Sequence, residues 1–209
     1  MFKAYAAVAT VIFWFAIVLQ FSISIPVYLQ TGFSTLGAVV QLLSFFTILS
    51  NILAAIVLVI VLLKPGPAFI NFFKRGSVIA AVTLYITIVG LVYNLVLRNL
   101  QQLQGLFKIA NELLHLINPL LFIIFWLFFV PKQKLSRRQG LTWLWFPFVY
   151  LVYTLARGAV KHLYPYPFMN VDKLGYGHVL LNSFFVMIAF LAFGLLFFFI
   201  NNKVSSESV

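Results

Sequence analysis

Long apolar runs separated by short, positively charged breaks occupy nearly the whole chain. Six runs, at roughly residues 4–25, 36–63, 78–97, 110–130, 141–160 and 175–200, each reach the ~20 apolar residues that an α-helix needs to cross a bilayer. The breaks KPGPAFINFFKRGS and PKQKLSRRQG combine Pro or Gly with Lys and Arg, as short turns between spans do. The pattern predicts an all-α, polytopic membrane bundle of six transmembrane helices, folded as one domain over residues 1–209. The second run is longer than a bilayer requires and is expected to tilt. The first follows Met1-Phe2-Lys3 and is expected to be a retained helix, because no small-residue cleavage site follows Gln20. Ser205 to Val209 is expected to fray.

Polar side chains interrupt these runs at helical spacing. Ser44, Thr47 and Asn51 lie at i, i+3 and i+7; Asn111, His115 and Asn118 form a second stripe; Tyr150, Thr154 and Arg157 form a third; His178 and Asn182 are an i, i+4 pair. Lipid cannot satisfy their donors and acceptors, so such stripes are expected to face the bundle interior and one another. Pro119 lacks the N–H that would bond the carbonyl of residue i−4, which is His115, so the fourth helix should bend or loosen there.

Composition removes other classes. With 64% hydrophobic and 8% charged residues and a mean hydropathy of +1.09 over 209 residues, no sizeable water-soluble domain is accommodated. The chain has no cysteine, which excludes disulfides, thiolate chemistry and iron–sulfur clusters. The net charge of +11 is distributed unevenly between the two sides of the predicted spans. Lys3, Lys64, Lys74, Arg75, Lys132, Lys134, Arg137, Arg138 and Lys203 fall on one side; Arg98, Lys108, Arg157, Lys161 and Lys173 fall on the other. By the positive-inside rule both termini of this multi-pass chain are expected to face the cytoplasm. Charge placed this way reads as topology and contact with membrane lipids, not as nucleic-acid binding. The three histidines and three carboxylates are spread over separate segments without HExxH-type spacing, and no nucleotide-binding glycine loop is visible, so neither metal nor cofactor is expected, although on count alone His115 and His178 would allow haem.

On this topology Thr47, His115, Arg157, His178 and Asn182 all fall in the outer half and are expected to share one site. Thr47 as nucleophile and His115 as general base would provide ester cleavage: the imidazole accepts the hydroxyl proton during attack and returns it to the leaving alcohol. Asn51 or Asn118 would donate to the developing oxyanion, and Glu112 or Asn111 would orient His115. Arg157 offers a two-pronged hold on a substrate carboxylate, with Lys161 a second candidate. His178 and Asn182 are expected to contact substrate as well. In the structural alternative Thr47 bonds its own i−4 carbonyl and Arg157 snorkels to headgroups. The same polar stripe would also serve a non-enzymatic lipid- or solute-binding protein or a transporter, although no repeat between the halves supports an inverted-repeat transporter.

The segments FFTILSN, NELLHLINPLL, TWLWFPFVYLVYTLARG and YPYPFMNVDKLGYG, in that order, resemble the androgen-induced protein (AIG-like) family in its bacterial form. The resemblance runs over most of the chain. It implies a multi-pass membrane hydrolase of fatty acid esters of hydroxy fatty acids that works through a threonine and a histidine. Thr47 and His115 stand at the matching positions.

Overall fold

A computed structural model describes residues 1–100 and 102–206. Among them there is no strand, and the chain clusters into two compact helical units, Met1–Gln133 and Lys134–Val209. Five helical stretches are long and apolar enough to cross a membrane, or six if one sharply bent pair counts as a single span.

The first unit contains α1 (Phe2–Gln30), α2 (Thr35–Leu43), α3 (Phe46–Leu62), the short α4 (Ala68–Phe73), α5 (Gly76–Val92), α6 (Gly105–Glu112) and α7 (Asn118–Phe129). α5 is its central element. Every residue from Ile79 to Gly90 is buried, which is what an all-round apolar helix needs. Thr83 and Thr87 are tolerated there because each hydroxyl donates to its own i−4 carbonyl, at 2.8 and 2.7 Å. α1 buries Ala6, Ala9, Phe13 and Ala16 on one face and packs chiefly on α3, which buries Ala54 and Ala55. Small residues on both helices let backbones approach where no water drives them together. Phe122, Phe125 and Trp126 of α7 complete the core.

The predicted second span departs most from expectation. Residues 36–63 do not form one tilted helix: α2 and α3 meet at an angle of 80° across Ser44 and Phe45. Ser44 Oγ donates to Val40 O at 2.7 Å, so Ser44 ends α2 and does not lie on the same helix face as Thr47 and Asn51. The predicted third and fourth spans are continuous but not uniform. α5 runs into a π-turn at Tyr93–Leu97, and α6 joins α7 through a second π-turn at Leu113–Ile117.

The second unit consists of α8 (Arg137–Thr142), α9 (Trp145–Lys161) and α10 (Val171–Ser206). Gly175, at φ +74°, interrupts α10 near its start, and the helix then runs without a break to Ser206. Ser205 and Ser206 are therefore helical; the rest of the tail expected to fray lies outside the described residues. Only 11% of the apolar window of α10 is buried, so most of its surface is free for lipid. On α9 the buried face is Tyr150, Thr154 and Gly158. Gly158 is required by close approach: a Cβ there would stand 2.0 Å from the Tyr164 ring. Gly158→Ala should therefore cost about 1–3 kcal/mol through overpacking. It should also increase proteolytic nicking of the 162–166 loop relative to wild type, measured on the protein in detergent.

Candidate active site

Thr47 is the second residue of α3, so the 80° break places its hydroxyl at the start of a helix instead of along the middle of one. The residue is 7% exposed. Its Oγ1 lies 3.3 Å from Nε2 of His115, a long hydrogen bond just beyond the ~2.6–3.2 Å of a tight nucleophile–base contact and of the kind that shortens when substrate binds. The two residues are 68 positions apart in sequence and reach one another through the packing of α3 on the second π-turn.

The other imidazole nitrogen fixes the tautomer. His115 Nδ1 is 3.0 Å from the main-chain carbonyl of Asn111, and a carbonyl only accepts. Nδ1 therefore carries the hydrogen and Nε2 presents its lone pair to Thr47. Orientation comes from the backbone of Asn111; its side chain instead donates to Tyr93 Oη at 2.6 Å. Glu112 does not orient His115 either. Both its oxygens are held by Arg98, at 2.8 Å each, and Arg98 Nε donates to Asn94 Oδ1 at 2.8 Å.

Pro119 shapes this region as its missing N–H requires. The carbonyl of His115, left without its i+4 donor, accepts from Asn94 Nδ2 at 3.1 Å, and the same amide reaches Gly90 O at 2.7 Å. Gly90 allows the approach, since a Cβ at that position would lie 3.2 Å from both His115 O and Pro119 Cβ. The π-turn carrying His115 thus packs against the first π-turn, and the Tyr93 ring stacks on the imidazole with centroids 4.1 Å apart and planes at 27°.

Asn51 and Asn118 are fully buried beside the pair. Asn51 Nδ2 donates to Thr47 O at 2.9 Å and to Leu114 O at 3.2 Å, and Asn51 Oδ1 accepts from Asn118 Nδ2 at 2.8 Å. Asn51 is thereby a tie between α3 and the His115 π-turn, not an oxyanion donor, because both its amide hydrogens are committed to carbonyls. The positive end of the α3 macrodipole, in whose first turn Thr47 lies, is the better-placed source of electrostatic help.

The remaining sequence-predicted residues belong to the second unit, where Arg157, His178 and Asn182 have local partners. Arg157 Nη1 donates to Leu163 O at 3.2 Å, and Lys161 ends α9 exposed. His178, also exposed, contacts Leu174 O through Nδ1 at 3.0 Å. Asn182 Nδ2 donates to Phe168 O at 2.9 Å. These contacts tie the side chains to nearby turns and helix backbone within that unit. No group of three or more His, Cys, Asp or Glu able to hold a metal occurs among the described residues.

Sequence reasoning did not single out Gly90, Tyr93, Asn94 or Arg98 as site residues. Their signal was present in GLVYNLVLRNL: Gly90, Asn94 and Arg98 fall at successive i, i+4 steps in an otherwise apolar run. No family model matches the chain, and no curated protein and no solved structure matches it either.

Proposed function

We propose that this chain is a multi-pass membrane esterase of the androgen-induced protein type, cleaving fatty acid esters of hydroxy fatty acids or closely similar lipid esters. In this reading it resides in a bacterial inner membrane with both termini in the cytoplasm. The observation that carries the proposal is the 3.3 Å approach of Thr47 Oγ1 to an imidazole nitrogen whose opposite N–H is held by a carbonyl.

Thr47 Oγ1 attacks the ester carbonyl while His115 Nε2 takes the hydroxyl proton. The ester C–O bond then breaks, Nε2 gives that proton to the departing hydroxy-acid oxygen, and the acyl group remains on Thr47. Water attacks the acyl-threonine, passing one proton to Nε2. The fatty acid leaves as the Thr47 oxygen recovers the proton. Negative charge developing near Thr47 is favoured by the N-terminus of α3.

A fluorophosphonate probe distinguishes an activated hydroxyl from a bystander. Treatment of the detergent-solubilised chain should give a Thr47 adduct by peptide mass spectrometry, and His115→Ala should remove it. Stable binding of the ester with neither adduct nor turnover is the behaviour of a lipid- or solute-binding protein or transporter, and it would end the esterase reading.

A further inference from the structure

The general base of this site lacks the carboxylate that usually accompanies a catalytic histidine, and the structure provides something else in its place. His115 Nδ1 is held by a neutral carbonyl, and the nearest carboxylate in sequence, Glu112, is neutralised by Arg98 through two 2.8 Å bonds. The elements packed around His115 offer few alternatives. α3 and α7 contain no titratable side chain. α5 brings Tyr85, whose ring lies against Phe46. α6 brings the exposed Lys108 together with Glu112. α1 brings Lys3 at its far end, Tyr5, which donates to Leu121 O, and Tyr28, whose ring lies against Phe33. None of these places an unneutralised negative charge beside the imidazole.

The Tyr93 ring lies over the imidazole instead, at 4.1 Å and nearly parallel. An aromatic face carries the negative part of the ring quadrupole and attracts a cation within about 6 Å of its centroid. We propose that Tyr93 is a positioning residue that acts through His115: its π face stabilises the imidazolium formed when Thr47 gives up its proton. The Asn111 amide on Tyr93 Oη and the Arg98 guanidinium, 5.4 Å from the same ring, hold that face in place. This rests on the esterase reading and adds to it the group that takes the place of the acidic triad member.

The experiment replaces Tyr93 by phenylalanine and then by mono-, di- and trifluorinated phenylalanines, which withdraw electron density from the ring face at nearly constant shape. Hydrolysis of a hydroxy-fatty-acid ester by the full chain in detergent is resolved into kcat and KM. Tyr93→Phe keeps the ring face but loses the bond from Asn111, so it is the reference against which the fluorinated series is read. The fluorinated series should fall stepwise to a loss of about tenfold with KM nearly unchanged, in keeping with cation–π strengths. Tyr93→Leu should be at least as slow; if that variant does not fold, the near-isosteric series alone decides. Thr47-dependent turnover with a flat fluorine series overturns this inference and leaves the esterase intact. Turnover that is absent, or that persists in Thr47→Ala, removes both.

Discussion

Thr47→Ala and His115→Ala should each lower kcat for ester hydrolysis by at least about 10³-fold, and the double variant should be no slower than the worse of the two. The non-additivity is the sharper part of the expectation. If Thr47 attacks and His115 removes its proton, either deletion disables one shared step, so the second deletion has little left to remove. Two residues acting separately would instead multiply their losses. Thr47→Ser provides the control, since it keeps a hydroxyl at the 3.3 Å distance and should retain measurable turnover. Single-turnover kinetics on detergent-purified protein separates this chemical step from slow product release. Wild-type-like kcat in either alanine variant is the outcome that would sink the assignment.

The polar interruptions were readable in the sequence because membrane helices reject unsatisfied polar groups. That argument identified His115, Thr47, Asn51 and Asn118, and it located the loosening at Pro119 from a missing N–H. It did not foresee how the pair is brought together. The 80° break at Ser44–Phe45 has neither Pro nor Gly to announce it, so QLLSFFTILSN reads as continuous helix. What marks the break is local: the Ser44 hydroxyl bonds back to Val40, and α3 begins anew one residue before Thr47. The consequence is chemical as well as geometric, since Thr47 gains the positive end of a helix. Roles assigned by residue type failed for a different reason. Asn51 and Glu112 looked available as an oxyanion donor and an orienting acid because sequence does not reveal which bonds a side chain already makes. In the folded chain Asn51 holds two carbonyls and Glu112 holds Arg98.

Those commitments give the largest stability effect expected here. Asn51→Leu, similar in volume and apolar, should destabilise the chain by about 2–3 kcal/mol. It strips the carbonyls of Thr47 and Leu114 of a donor and leaves Asn118 Nδ2 without its acceptor, all at fully buried positions. Hydrogen bonds in membranes average nearer ~0.6 kcal/mol each, because the membrane-unfolded chain also finds partners, so three lost at once come to about 2 kcal/mol, the lower end of that range. Asn118→Leu removes only one donor and should cost about 1 kcal/mol. In Asn51→Leu/Asn118→Leu the stranded Asn118 amide is gone, so the combined loss should be smaller than the sum of the singles. Denaturing-detergent titration of helix content measures all three. The same variants separate scaffold from chemistry. Asn51 ties the start of α3 to the π-turn, and a displacement of about 1 Å between Thr47 and His115 is enough to cost on the order of 10²-fold in rate. Asn51→Leu should therefore slow turnover well beyond any loss of folded protein. A variant destabilised as expected, yet as fast as wild type per folded molecule, would show that the Thr47–His115 distance is set elsewhere in the bundle.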